Sequence, residues 1–155
     1  MSIFDELFSN YLFITPIIAW FVAQFLKMII TLIKDKVFNP KLALFSSGGM
    51  PSSHSATVSS LCSACAILSG FGSFEFAISF VLAMVVMTDA VGVRRETGEQ
   101  AKVINKIVEE LFSGNSEKAE TALKELVGHT PFQVAMGVLV GISTSVIIAF
   151  IMNIL

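Results

Sequence analysis

The sequence predicts an all-α integral membrane protein, a helical bundle of about four spans with a cytoplasmic helical hairpin as an insert. Of its 155 residues, 54% are hydrophobic and 14% are charged, whereas an ordinary soluble domain is about 25% charged. Several segments reach the ~20 apolar residues that a membrane-spanning helix needs. All basic residues lie in two stretches of the chain. We therefore predict a single membrane domain over residues 1–155.

Four segments are candidate spans: Phe8–Ile33, Ser55–Gly70, Phe74–Val93 and Phe132–Leu155. The second is rich in Ser, Ala and Cys, which suits a helix packed among other helices better than one that faces lipid. Before the first, Met1–Asn10 carries acidic residues and no Lys or Arg. This segment lacks the charge of a cleavable signal, so the first span is predicted to be permanent.

The basic residues predict the topology. One group follows the first span and the other follows the third: Lys27, Lys34, Lys36 and Lys41, then Arg94, Arg95, Lys102, Lys106, Lys118 and Lys124. With four spans both groups lie on one side, which the positive-inside rule assigns to the cytoplasm. We expect a protein of the cytoplasmic membrane whose basic loops attract anionic lipid head groups. Membrane lipids are its expected partners, and no nucleic-acid partner is predicted.

Residues 96–127 form the polar insert. Ile104, Ile107, Val108 and Leu111 recur at helical spacing, and a turn at 113–116 separates them from a second amphipathic helix over 119–126. A helical hairpin on the cytoplasmic surface follows. It either covers the bundle, which we favour slightly, or forms a lid or docking face for a lipid head group.

Two motifs within the spans are expected to serve packing. Cys62 and Cys65 form a Cys-x-x-Cys pair, for which reduced, packed thiols are favoured over a redox or zinc role. Gly137 and Gly141 form a small-xxx-small motif that suits close helix packing. Packing within one chain is favoured, and a homodimer is the alternative.

Two histidines, His54 and His129, carry the strongest indication of chemistry. Each lies at the start of an apolar helix and at the end of a basic loop. Imidazole is suited to proton transfer near neutral pH and can act as a nucleophile. Helix N-termini offer free N–H groups and partial positive charge, which favour phosphate. The pair therefore predicts phosphoryl chemistry at a membrane surface.

The candidates for phosphate binding are cationic side chains and hydroxyl or backbone donors near the histidines: Arg94, Arg95, Lys27, Lys34, Ser52, Ser53 and Gly49. A guanidinium grips phosphate through two parallel hydrogen bonds. Each residue also has an ordinary structural interpretation, such as snorkelling lysines, topology-setting arginines and helix-capping serines. Their convergence on one membrane face favours the phosphate site, and the scheme requires no metal or other cofactor.

The motifs resemble a known superfamily. Pro51-Ser52-Ser53-His54 resembles the Pro-Ser-Gly-His motif of the type 2 phosphatidic acid phosphatase and vanadium haloperoxidase superfamily, and Gly128-His129-Thr130-Pro131 resembles its third motif. With Asp89-Ala90-Val91-Gly92-Val93-Arg94-Arg95, the chain resembles the divergent bacterial and plastid branch from Ala23 to Gly141.

This resemblance implies roles for individual residues. His129 matches the nucleophile that forms a phosphohistidine, and His54 matches the general acid. Lys27 matches the lysine of the first motif, Lys34 stands where that motif has arginine, and Arg94 or Arg95 supplies the phosphate-binding arginine.

The chain departs from the superfamily pattern at three places. Lys34-Asp35 replaces Arg-Pro, the insert separates the arginines from His129, and Gln133 replaces the aspartate that orients the nucleophile. Asp89 is a candidate substitute, because that aspartate also favours the charged imidazole and a carboxylate within a span is a functional candidate. The alternative is a structural pairing of Asp89 with a neighbouring arginine.

The function predicted from these residues is a membrane phosphatase that hydrolyses a lipid phosphate or diphosphate through a phosphohistidine on the cytoplasmic side. A phosphoryl transferase is a close variant. The rivals are a phosphate-binding or regulatory protein without catalysis, and a structural or transport bundle whose histidines cap helices. Phosphatidic acid, phosphatidylglycerophosphate and polyprenyl phosphates all remain candidate substrates.

Overall fold

The computed structural model describes residues 2–35, 49–112 and 129–155. Its elements are helices throughout these ranges: α1 (Ile3–Ser9), α2 (Tyr11–Asp35), α3 (Ser53–Ser69), α4 (Phe74–Val91), α5 (Val93–Phe112) and α6 (Pro131–Ile151). The predicted all-α class is confirmed. The side chains of residues 34, 35, 93–95 and 109–112 lie outside the described part.

Three helical runs are long and apolar enough to cross a membrane: Tyr11–Ile33, Phe74–Val108 and Pro131–Ile151. The remaining predicted segment forms α3, which is shorter at 17 residues. This helix packs against α2, α4 and α6, and its buried positions are mainly Ser and Ala. As predicted, α3 is the helix enclosed by the others.

The first span begins later than the sequence pattern predicts. The predicted start at Phe8 is wrong, because α1 ends at Ser9 and α2 begins at Tyr11. The side-chain oxygen of Asn10 between them accepts hydrogen bonds from the backbone N–H groups of Leu12 at 2.9 Å and Phe13 at 3.3 Å. Asparagine competes with helical backbone in this way and caps a new helix. Hydropathy alone does not register such a break.

The first helix predicted for the insert is present as α5. It starts at Val93, directly after Gly92 and three residues before the predicted boundary of the insert at residue 96. Ile104 and Ile107 of α5 are exposed, as on the apolar face of a surface helix. The second predicted helix, over 119–126, lies outside the described residues, so the hairpin stays a prediction there.

The bundle is apolar outside and rich in small polar groups inside. Phe21, Phe25 and Phe150 are about 60% exposed, whereas Ser60 and Ser145 are fully buried. The hydroxyl of Tyr11 donates to the Ser145 carbonyl at 2.9 Å. Small and hydroxyl-bearing residues let helices in a membrane approach closely and bond across their interface.

The closest helix packing joins α3 to α6 at the two glycines. A Cβ added to Gly137 would contact the Ser52 carbonyl oxygen and lie 2.8 Å from Ser55 Cβ. A Cβ added to Gly141 would contact Ser59 Oγ and lie 2.9 Å from the Ser60 nitrogen. The small-xxx-small motif therefore packs within one chain, as favoured from the sequence.

Gly141→Ala is expected to destabilise the protein by about 1–3 kcal/mol, since the methyl group meets backbone that a side-chain rotation cannot move. The measurement is the thermal unfolding midpoint in detergent. Gly72→Ala is the matched control, because a Cβ at Gly72 meets nothing within 4 Å. Equal midpoints for the two variants would contradict the contact at Gly141.

Candidate active site

Two backbone hydrogen bonds bring three helix ends together. The Ser52 N–H before α3 donates to the Gln133 carbonyl in the first turn of α6 at 3.1 Å. The His129 N–H before α6 donates to the Ala90 carbonyl in the last turn of α4 at 3.1 Å. The two histidine motifs, which are 75 positions apart in sequence, therefore meet at one end of the bundle.

The two imidazole rings lie close to each other. Their centroids are 6.3 Å apart and their planes are inclined at 59°. His129 is buried, with 3% of its surface exposed, whereas His54 is exposed. This separation allows one phosphoryl group to contact both rings. The buried ring is shielded from water, and the exposed ring can exchange protons with it.

The turn that carries His54 uses its serines for structure. Ser52 caps α3, and its Oγ accepts from the Ser55 backbone N–H at 3.4 Å and from the Ser55 hydroxyl at 3.0 Å. Ser53 is buried as the first residue of the helix. The capping predicted for this turn is confirmed. Phosphate binding by Ser52 or Ser53 stays a prediction.

Lys27 is the most buried charged residue of the described part. Only 2% of its surface is exposed, and it is the largest fully buried side chain. Its stem runs beside Gly49, where an added Cβ would lie 3.3 Å from both Cγ and Cδ of Lys27. Gly49 has φ +96°, a conformation that glycine adopts without steric cost. A side chain at position 49 would therefore press against the Lys27 stem and would also strain the backbone.

The structure shows no ion pair between the Lys27 ammonium and a described acidic side chain, and the side chain as a whole is almost entirely buried. An unpaired buried charge is costly. An anion bound here would remove that cost, so the residue is suited to hold a phosphate oxygen.

The other predicted cations lie at the same end of the bundle. Lys34 is in the last turn of α2, and Arg94 and Arg95 are in the first turn of α5, directly after α4. Their side chains lie outside the described residues, so their contacts with phosphate stay predictions. Among described residues, no cluster of three His, Cys, Asp or Glu side chains is placed to hold a metal ion.

Gln133 has a structural role that the superfamily pattern does not indicate. Its side-chain oxygen accepts from the Thr130 N–H at 3.0 Å, while its own N–H donates to Thr130 Oγ1 at 3.3 Å. This reciprocal pair is a capping box, whose Thr-x-x-Gln signature is visible in the sequence. The side-chain oxygen that would face the His129 ring in the superfamily pattern is thus used at the start of the helix.

Asp89 lies beside the site, next to the residue that binds the His129 backbone. It is half-buried in the last turn of α4, and the carbonyl of the next residue, Ala90, accepts the His129 N–H. If Asp89 orients the His129 ring, Asp89→Asn is expected to lower phosphate release at least about tenfold, because asparagine cannot stabilise the imidazolium. Phosphate release from a lipid phosphate is the measurement.

Glu75→Gln, in the first turn of the same helix and exposed, is the matched control for Asp89→Asn. Unchanged release in both variants would assign Asp89 to a structural pairing.

An apolar helical bundle with two histidine motifs joined at one end defines a membrane protein of the PAP2-like class. The chain belongs to the Divergent PAP2 family, whose model matches residues 8–144. It is 39% identical to YuiD of Bacillus subtilis (strain 168), described as an uncharacterized membrane protein, over 94% of this chain and 98% of that one. No solved structure matches the chain. The predicted family and membrane character are thereby confirmed.

Proposed function

We propose that the protein is a membrane phosphatase that hydrolyses a lipid phosphate or diphosphate. The observation that carries the proposal is the buried Lys27 without an ionic partner in the described part of the chain. A purely structural bundle gains nothing from such a group, since a packed apolar side chain in its place is usually neutral or stabilising. A phosphate-binding site needs it.

The placement of Gly49 links this lysine to the histidines. Gly49 contacts the Lys27 stem and precedes the Ser52 cap of the His54 helix by three residues. A phosphate held by Lys27 therefore lies near the N-terminus of α3, where free backbone N–H groups favour its negative charge.

In the proposed reaction an imidazole nitrogen of His129 attacks the phosphorus atom. With a lipid phosphate, the bond from phosphorus to the lipid oxygen breaks, and protonated His54 donates its proton to that oxygen, which leaves as an alcohol. With a diphosphate, the bridging oxygen is the one that accepts the proton, and the lipid monophosphate leaves. Water then attacks the phosphorus of the phosphohistidine, neutral His54 accepts a proton from that water, and the bond from phosphorus to the His129 nitrogen breaks, which releases inorganic phosphate. Lys27, with the arginines after α4, balances the charge on the phosphoryl oxygens.

The active site is proposed to face the cytoplasm. Both basic stretches adjoin the end of the bundle that carries the histidines, and basic residues favour the cytoplasmic side. A lipid substrate would keep its tail in the bilayer and insert its head group between the helix ends.

A second candidate is a phosphate-binding or regulatory protein without turnover. The feature that favours it is Gln133, an amide where the superfamily pattern has a carboxylate, whose side-chain oxygen accepts the Thr130 N–H. Saturable binding of orthovanadate without phosphate release would support this alternative.

The decisive experiment measures phosphate release by the purified protein in detergent from phosphatidic acid, phosphatidylglycerophosphate and a polyprenyl phosphate. His129→Ala is the control. Release from at least one lipid, abolished by His129→Ala, is expected. Absence of release from every lipid, or equal release by the variant, would contradict the phosphatase proposal.

A further inference from the structure

Gln133 is hydrogen-bonded to residues of both histidine motifs. Its side chain and its N–H close the capping box with Thr130, the residue next to His129. Its carbonyl accepts the N–H of Ser52, two positions before His54, at 3.1 Å. One residue thus holds the start of α6 through its side chain and the start of α3 through its backbone.

We infer that Gln133 is a positioning residue that sets the relative placement of His54 and His129. This role differs from that of the superfamily aspartate at the corresponding position, which acts directly on the nucleophilic ring. The inference deepens the proposed function, since it concerns how the same site is assembled, but the placement of the rings can be measured without turnover.

The packing below Gln133 supports this assignment. Gly137, one turn further along α6, lies against the Ser52 carbonyl and Ser55 Cβ. The α3 cap is therefore held on α6 by the Gln133 carbonyl above and by the Gly137 surface below. A change in the first turn of α6 is transmitted to Ser52 because the closely packed interface has no space to absorb it.

His129 is also held through its own backbone. Its N–H donates to the Ala90 carbonyl at 3.1 Å, while Thr130 beside it is held by Gln133. If the capping box opens, His129 keeps the bond to α4 but loses its fixed relation to α3. The expected defect is a change in the separation of the two rings rather than unfolding of the bundle.

The chain has two histidines, so imidazole NMR of protein labelled with ¹⁵N-histidine reports both rings. In the parent, His54→Ala is expected to shift the His129 ring resonances, because the centroids are 6.3 Å apart. In a Gln133→Leu background this shift should fall by at least half. Gln133→Glu should restore it, because a carboxylate can accept the Thr130 N–H and suits a helix N-terminus.

Gln100→Leu, at an exposed position of α5, is the matched control and should leave the coupling between the rings unchanged. If Gln133→Leu preserves the full shift, the positioning role is overturned. If phosphate release is present, Gln133→Leu should lower kcat roughly 10- to 100-fold, as misplacement of a catalytic group does, and Gln133→Glu should recover it.

Gln133→Asp separates positioning from direct action on the ring. Aspartate is one methylene shorter than glutamate, so it closes the capping box less well. Gln133→Asp should therefore show a smaller shift of the His129 resonances and a lower kcat than Gln133→Glu. A Gln133→Asp variant more active than the parent would instead assign direct orientation of His129 to this position. If no variant releases phosphate, the proposed function fails, while the NMR comparison still decides the positioning role.

Discussion

His129→Ala is expected to reduce phosphate release at least about 1000-fold, because removal of a nucleophile leaves only the contribution of binding and electrostatics. His129 is the buried member of the pair, with 3% exposure, and no other side chain in the proposed site is assigned as a nucleophile. The measurement is single-turnover release together with trapping of a phosphorylated protein. The phosphohistidine should be detected in the parent and absent from the variant.

His54→Ala provides a chemical comparison. If His54 protonates the leaving oxygen, His54→Ala should greatly slow phosphate release from an alkyl phosphate. Release from an aryl phosphate should slow only slightly, because its leaving group needs no proton. His129→Ala should be inactive toward both. Phe132→Ala, an exposed position in the first turn of the same helix, is the control for integrity. A fully active His129→Ala variant would remove this histidine from the reaction.

Lys27→Met is expected to have opposite effects on binding and on stability. Loss of the ammonium should weaken orthovanadate binding at least about tenfold, since a charged hydrogen bond is worth roughly 1.5–3 kcal/mol. The same substitution should raise the thermal unfolding midpoint, because it removes a buried charge that lacks a partner among the described residues and keeps a stem of similar shape. Both quantities can be measured on one detergent-solubilised sample.

Lys102→Met is the matched control for this substitution. Lys102 is exposed on α5 and its Nζ lies 3.1 Å from a Glu99 carboxylate oxygen, a surface pair whose loss costs little. Neither vanadate binding nor the unfolding midpoint should change appreciably. A Lys27→Met variant that is less stable than the parent and binds vanadate normally would show that this lysine serves the fold.

Much of the site follows from local sequence because helix starts have chemical signatures. Serine is predicted to cap the His54 helix, and Ser52 does so, while Thr130 caps the helix after His129 in the same way. Two capped helices, each beginning beside a histidine after a basic loop, place both rings at one end of a bundle of alternating helices. The 6.3 Å separation of the ring centroids is the geometric result of that order.

Other features depend on contacts between distant residues and were not predictable. The nearly complete burial of Lys27 depends on Gly49 lying against its stem, which periodicity on α2 does not reveal. The acceptor for the His129 N–H is the backbone carbonyl of Ala90. Every residue has such a carbonyl, so the sequence does not indicate which one accepts the bond. The Thr-x-x-Gln pattern at residues 130–133 does indicate a capping box. The aspartate of the superfamily at this position instead suggests a contact with the His129 ring.

The shortness of α3 bears on how many times the chain crosses the bilayer. Its 17 residues span about 25 Å at the helical rise, somewhat less than the ~30 Å hydrocarbon thickness, so a hydropathy profile counts three crossings. If α3 did not cross, the chain would cross three times, and the starts of α3 and α6 would lie on opposite faces of the membrane. Ser52 at the start of α3 is, however, hydrogen-bonded to Gln133 at the start of α6. The bond between the starts of α3 and α6 therefore favours four crossings, and we expect the segments before α2 and after α6 to be reached by the same side-specific reagent.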